Sequence, residues 1–345
     1  MSYTIDIFRK EIEPAKKFSD FALFVTFFPQ MVAGPIQRAK HILPQIVLPR
    51  TVAVAGFYEG SFLIFWGIFQ KVYVAENLAK IVDPVFQGTH SSSGAVYLIA
   101  LYAFTFQILG DFAGYSDVAR GLGKVMGFDI SINFKTPFFV TNVQEFWLEW
   151  HISLSSWVRD YLYLPLFHSL HRIKGMLRVY LAIIITMALM GLWHGAAYTF
   201  ILWGLYYGIL LALYTMLRGK FSQWVIPANY SGEILWKWLR IIFMFHITAL
   251  GMLLFRVHSV AQVVTIFHSL LSDFRFMPEA GVLFGKFLMF AAPLIIVQAA
   301  QYIKGDLMCV LNAPVFIKIP FYVICFYLLI IFGVTGAKEF IYFQF

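Results

Sequence analysis

The sequence predicts an all-α polytopic membrane protein, and three observations carry that prediction. Of its 345 residues 60% are hydrophobic and 13% charged, where a soluble domain has about half and about a quarter. Its 38 Phe, 18 Tyr and 9 Trp raise the aromatic share to 19%, which leaves too little polar surface to face water, and the mean hydropathy is +0.75. Finally, apolar stretches of the length that crosses a bilayer, about 20 residues, recur along the chain. The lipid bilayer is therefore its first partner. Lys and Arg exceed Asp and Glu by 26 to 18, a net charge of +8. That excess is scattered between apolar runs rather than gathered in a basic stripe, so a nucleic-acid partner is excluded and cytoplasmic loops and anionic headgroups are implied. Two cysteines, Cys309 and Cys325, can build neither a disulfide framework nor a zinc site, and no metal is predicted.

Taken in order, the chain opens without a signal peptide. Arg9, Lys10, Lys16 and Lys17 with Asp6, Glu11, Glu13 and Asp20 leave no apolar core before residue 20, so insertion must use a transmembrane helix. Residues 18–36 form a doubtful segment, because Pro29, Gly34 and Pro35 break it into something other than a clean crossing. Spans are predicted at 57–75, apolar apart from Glu59 and Lys71, and at 94–110, which has no charge. The run 179–217 contains no Asp, Glu, Lys or Arg and is long enough for a helical hairpin turning near 191–197. Arg240 and Arg256 bracket a span at 241–255, Lys286 and Lys304 one at 287–303, and Lys318 and Lys338 one at 319–337. The total is seven spans, or eight with 18–36, in a single membrane domain over 1–345. The loops 159–178 and 218–240 carry matching basic residues and lie on one side if 179–217 is a hairpin, which reads as the cytoplasmic side. No internal repeat of the transporter kind is present.

Residues 141–166, TNVQEFWLEWHISLSSWVRDYLYLPL, mix aromatics with charges too densely for a lipid-facing span. They read as an interfacial or re-entrant helix. On a continuous helix Glu145, Glu149, Ser153, Ser156 and Asp160 make one polar stripe, with Phe146, Trp150, Leu154, Trp157 and Tyr161 beside it. His151 falls on the far side from Glu149 and is predicted to be buried.

An ionisable side chain within a membrane is costly and points to function by default. His151, His194 and His246 qualify. His194 lies in MGLWHGAA (190–197), where flanking glycines allow close approach; a neutral imidazole there can take a proton from a hydroxyl and return it to a leaving group. The plainer reading of each histidine is a bond to a backbone carbonyl between helices, and for His151 and His246 composition favours it. Asp111 and Asp117, around Gly114, either coordinate a polar headgroup or cap a helix and pair with Arg120. Arg159 and Asp160 form a local ion pair or contact a phosphate.

Four blocks, DFALFVTFFPQMVAGPIQRAKHILPQ (20–45), DFAGYSDVARGLGKVMG (111–127), EFWLEWHISLSSWVRDYLYLPL (145–166) and GLWHGAAYTFILWGLYYG (191–208), with the ending FIYFQF (340–345), resemble the membrane-bound O-acyltransferase superfamily. Within it they resemble the bacterial branch of alginate O-acetylases, peptidoglycan O-acetyltransferase membrane subunits and D-alanyl transfer proteins. The resemblance implies a helical bundle around a transmembrane tunnel in the bacterial inner membrane. His194 matches the histidine regarded as catalytic, and His151 the second histidine that approaches it. It further implies that Trp193 and Trp147 wall the substrate site, to which Asp117, Arg159 and Asp160 are assigned as further binding residues. The implied donor is acetyl-CoA, with no tightly bound cofactor, and the acyl group passes to a glycan or to a periplasmic SGNH-type acetyltransferase. Two features depart from the pattern. The family's glycine-rich turn after DYLYIPL is replaced here by Phe167, His168, Ser169 and Leu170, and Met1 aligns with the family's interior, so several N-terminal spans of a usual member are expected to be missing. A non-catalytic conduit for an acyl carrier and an inactive truncated fragment are the alternative readings.

Overall fold

The computed structural model describes residues 1–88, 92–221 and 230–334, and these contain helices and connecting loops but no strand. The block FIYFQF and the end of the 319–337 run lie outside the described residues. Among those described, six helices are long and apolar enough to cross a membrane: Gly94–Val125, Met176–His194, Tyr198–Arg218, Gly232–Arg256, Pro278–Lys304 and Val315–Phe332. They cover six of the seven spans that the sequence predicts.

The N-terminal region is made of short pieces: α1 (Ser2–Phe8), α2 (Phe18–Val25), a 3-10 turn at Phe28–Gln30 and α3 (Ala39–Val47). Residues 18–36 are thus a broken helix, as Pro29 and Gly34 require. A small core of Phe24, Phe27, Ile42, Phe128 and Ile130 holds these pieces to the chain that follows the central helix.

The seventh predicted span, 57–75, takes another form. α4 (Val54–Phe69) continues through a π-helical turn at Gln70–Ala75 directly into α5 (Glu76–Gln87). The π turn divides this helix into α-helical parts of 16 and 12 residues, with charged Lys71 and Glu76 at the division. Lys71, at the π turn, reaches Glu76 Oε1 at 2.9 Å and Asp111 Oδ1 at 2.5 Å, so one ammonium is shared by two buried carboxylates inside the protein. The same pairing explains why α6 (Gly94–Val125) runs on for 32 residues where the uncharged run stops at Gly110. Almost wholly buried, α6 is the pillar of the fold, with α4, α5, α12, α13 and α14 packed around it. Against α4 the approach is so close that a Cβ on Gly67 would fall 2.4 Å from the Gly114 carbonyl oxygen, and one on Gly60 2.6 Å from that of Gly121.

Past α6 come α7 (Val143–Glu149), α8 (Ile152–Val158), a π turn at Arg159–Tyr163 and α9 (Leu164–Ser169). The hairpin follows as α10 (Met176–His194) and α11 (Tyr198–Phe221), turning at residues 195–197 as predicted. α12 (Tyr230–Arg256), α13 (Val260–Ser272), α14 (Pro278–Lys304) and α15 (Val315–Phe332) complete the chain. One apolar core joins α4 to α8, the hairpin and α12 to α15.

Candidate acyl-transfer site

The segment 141–166 is not the continuous helix that its spacing suggests. Asn142 caps α7 by accepting from the Glu145 N–H at 2.9 Å, while Glu145 Oε2 accepts from the backbone N–H and hydroxyl of Thr141 at 2.8 and 2.9 Å, the reciprocal pattern of a capping box. Glu149 Oε2 accepts from Thr136 N–H at 2.9 Å. The supposed polar stripe is therefore spent on tying the backbone, and the helix stops at Trp150. His151 stands at the break with φ 44° and ψ 52°, a left-handed conformation that costs a non-glycine residue about 1 kcal/mol or more.

Asn133 holds that conformation in place. Its backbone carbonyl accepts from Ile152 N–H at 2.9 Å, and its Oδ1 accepts from the Ser153 hydroxyl at 2.7 Å and from His151 Nδ1 at 3.2 Å, while its Nδ2 donates to Ser116 at 3.1 Å. Because Oδ1 can only accept, His151 carries its proton on Nδ1 and presents Nε2 as an acceptor. The ring is 5% exposed and packs edge-on against Phe112 at 4.6 Å. Burial, and then the charge of the neighbouring His194, push its imidazole down to about 3, so it is neutral at physiological pH.

His194 ends α10 in a box of rings. Trp193 lies at 4.8 Å, and Trp203 and Phe255 each meet it edge-to-face at 5.1 Å. The 63% exposure of Trp193 contrasts with the 4% of Trp203. Trp147, predicted to wall the site, meets Trp203 at 5.9 Å and not His194 directly among the ring contacts.

A cavity of about 400 Å³ opens between α8, α10 and α11. Val179, Ile183, Thr186, Met187 and Met190 of α10 line it, a spacing of three and four that continues along the same face to His194. Trp147 lines the cavity, and Arg159 and Arg218 bring two exposed guanidinium groups to it. A single cavity shared by Arg159 and Arg218 puts the first residues of the stretches 159–178 and 218–240 at the same end of the hairpin.

The remaining predicted residues are engaged by protein partners. Arg159 Nε bonds Asp160 Oδ1 at 2.7 Å, and Arg38 bonds the other oxygen at 3.0 Å. Burial pushes the Asp160 carboxyl up, but the hydrogen bond and charge of Arg159, joined by Arg38, outweigh it and hold it below its ordinary value. Asp117 accepts from Arg120 and from Gln70, each at 3.0 Å, so the ion pair of the plainer reading is present. It lines a second, smaller cavity between α4, α6 and α14, away from the cavity of Trp147. His246 donates through Nδ1 to the Ile242 carbonyl at 2.7 Å and accepts from Tyr102 at 2.8 Å. It is a helix-linking histidine. Among the described residues, no three His, Cys, Asp or Glu side chains gather in a group able to hold a metal ion. Sequence reasoning passed over Asn133, Trp203 and Phe255; the one signal was a lone Asn inside the apolar run ISINF.

Residues 15–257, which contain both histidines, match the family model for MBOAT, the membrane-bound O-acyltransferase family. The chain belongs to that family. Similar relatives within the MBOAT family include a probable alginate O-acetylase of Pseudomonas putida, 42% identical over 213 residues that make up 62% of this chain and 43% of the relative. A peptidoglycan O-acetyltransferase of Helicobacter pylori is 36% identical over 65% of this chain and 44% of its own length. A teichoic acid D-alanyltransferase of Bacillus subtilis is 30% identical over 67% of this chain and 60% of its own. This MBOAT chain thus spans about half the length of the curated relatives it matches.

Proposed function

We propose that this membrane protein takes part in moving an acyl group, acetyl in the first instance, from a cytoplasmic thioester to an extracytoplasmic glycan. The glycan receives it directly or through a periplasmic SGNH-type acetyltransferase. The observation that carries the reading is the cavity that runs along one face of α10 toward His194 with arginines at its other end. A thioester donor such as acetyl-CoA is an amphiphile with phosphates at one end and a small acyl group at the other. Arg159 and Arg218 suit the phosphates, and the apolar wall of Val179, Ile183 and Met187 suits the arm.

In the reaction so assigned, the neutral imidazole of His194 accepts the proton of the acceptor hydroxyl as its oxygen bonds to the thioester carbon and the carbonyl electron pair moves onto oxygen. The pair then returns, the carbon–sulfur bond breaks, and His194 gives the proton to the departing sulfur. His151, neutral with Nε2 as acceptor and fixed through Asn133, orients the acceptor hydroxyl or the acyl group beside it. Names borne by the relatives support acyl transfer to a polysaccharide or a teichoic acid. The positive charge of 159–178 and 218–240 supports a cytoplasmic position for both, and the bacterial relatives support a bacterial inner membrane.

The test is transfer of labelled acetyl from acetyl-CoA into membranes that carry the intact chain, beside His194→Ala and His151→Ala variants inserted to equal levels. Transfer that disappears with His194→Ala and falls with His151→Ala is the expected result. Transfer that survives His194→Ala unchanged favours a conduit and overturns the catalytic assignment.

A further inference from the structure

Near His194, two polar groups have no hydrogen-bond partner among the described residues. The indole N–H of Trp203, which meets the His194 ring, and that of Trp147, which meets Trp203, are both buried from solvent and bond no described residue. Buried indoles ordinarily find an acceptor, and leaving one without is costly; here two occur in rings that meet edge-to-face at 5.9 Å. Their place in the fold narrows the explanation. Trp203 meets the His194 ring at 5.1 Å and Trp147 lines the cavity, so the two tryptophans in contact connect the cavity wall to the imidazole. Phe146, Phe255 and Tyr207 pack around them, with Tyr207 at 5.4 Å from Trp203 and 5.2 Å from Trp147.

An indole N–H donates and cannot accept. Two such donors select a ligand atom that accepts only, and they reject a hydroxyl or ammonium that also needs an acceptor in the same place. We infer that Trp147 and Trp203 form a carbonyl-binding subsite, in which their N–H groups donate to the carbonyl oxygen of a bound acyl thioester. This deepens the acyl-transfer reading and rests on it. During attack on the thioester carbon the carbonyl pair moves onto that oxygen, and donors fixed in a water-poor site stabilise the charge that develops there. When the pair returns and the carbon–sulfur bond breaks, the oxygen is again a neutral acceptor held by the same two groups. Both tryptophans are catalytic residues in this sense, and the aromatic box around His194 serves to aim donors as well as to fill space.

The test replaces each tryptophan in the full-length chain by 3-(3-benzothienyl)alanine, which keeps the shape of indole and puts sulfur where the N–H stands. Two quantities are measured. One is the turnover of acetyl transfer from acetyl-CoA. The other is the relative affinity for two unreactive probes, the methyl ketone in which methylene replaces the thioester sulfur of acetyl-CoA, and S-ethyl-CoA, which has no carbonyl.

The unsubstituted chain is expected to prefer the ketone by about tenfold. Each substitution should erase most of that preference and slow turnover by about tenfold or more. Equal binding of the two probes by the unsubstituted chain, or a preference that survives both substitutions, overturns the subsite even where transfer proceeds. A ketone preference that depends on the tryptophans in a chain that transfers nothing supports the subsite and removes the acyl-transfer reading. Loss of both removes both. Phe substitutions at the same positions, compared by thermal unfolding in detergent, separate loss of the N–H from loss of packing.

Discussion

Asn133 and His151 show how much of the site depends on single atoms. Asn133 is wholly buried, and its side chain serves Ser116, His151 and Ser153 together. Asn133→Ala is therefore expected to lower stability by about 1–3 kcal/mol, read as a drop in the unfolding midpoint in detergent, and to slow transfer by releasing His151. An unchanged midpoint would show that the network carries no weight. His151 adds a dependence on pH. Its folded value of about 3 lies below the ordinary 6.5, so between these values the unfolded chain binds more protons and stability rises with pH. The contribution is complete above about pH 6.5 and declines on acidification. At about pH 5 the loss is about 2 kcal/mol. Unfolding midpoints measured at about pH 7.5 and about pH 5 should separate the natural chain, which loses stability by this route, from His151→Gln, which does not titrate. Equal losses would show that His151 is not the group responsible. The burial of this histidine was legible in the sequence for a reason that does not hold. Helical spacing put it opposite Glu149, whereas the helix ends before it and a left-handed residue turns it inward. Spacing alone contains no signal for that break, because the bonds that force it come from Asn133, 18 residues away.

At the scale of elements, hydropathy located the apolar helices, the buried α6 among them, and left their limits open. It set the end of a span at Gly110, where α6 runs on to Val125, and offered 57–75, which lies within α4 and its π turn; in both places a charge has a partner distant in sequence. Lys71 meets Asp111 only after α4 and α6 have packed. That packing rests on small residues seven apart on each helix, Gly60 and Gly67 against Gly121 and Gly114, as expected where helices associate by close approach in lipid. Gly67→Ala gains helix propensity of about 1 kcal/mol. It also drives a methyl group into the Gly114 backbone, and overpacking of that kind costs about 1–3 kcal/mol. A net loss of stability is expected, together with weaker transfer because Asp111, Phe112 and Ser116 lie on the displaced helix. Gly285→Ala provides the control. Nothing lies within 4 Å of a Cβ at that position, so the same substitution should leave stability equal or slightly raised. A Gly67 variant as stable as the Gly285 variant would show that α4 can shift without consequence.

Over the whole molecule, motifs far apart in the sequence come together around one cavity. The block 145–166 contributes Trp147 and Arg159, the block 191–208 supplies the end of α10, and Arg218 arrives from the end of α11. The grouping of these blocks was legible because a resemblance to one family supplied it; the cavity itself was not, since it is bounded by side chains whose distances no periodicity encodes. Arg159 and Arg218 give one end of the cavity its charge, and the proposed fit of donor phosphates to that end can be tested without knowing the glycan. Replacing Arg159 and Arg218 by Ala should raise the KM for acetyl-CoA several-fold while changing kcat little, because in the proposed binding mode the arginines meet a part of the donor that does not react and bind ground state and transition state alike. Raising the ionic strength should weaken donor binding by the natural chain more than by the double variant, as exposed charges are screened. Acetylpantetheine, which has the arm and the thioester but no phosphate, should react with both chains at the same efficiency. If the double variant loses as much efficiency with acetylpantetheine as with acetyl-CoA, Arg159 serves the structure through Asp160, which Arg38 also holds, and the donor enters by another route.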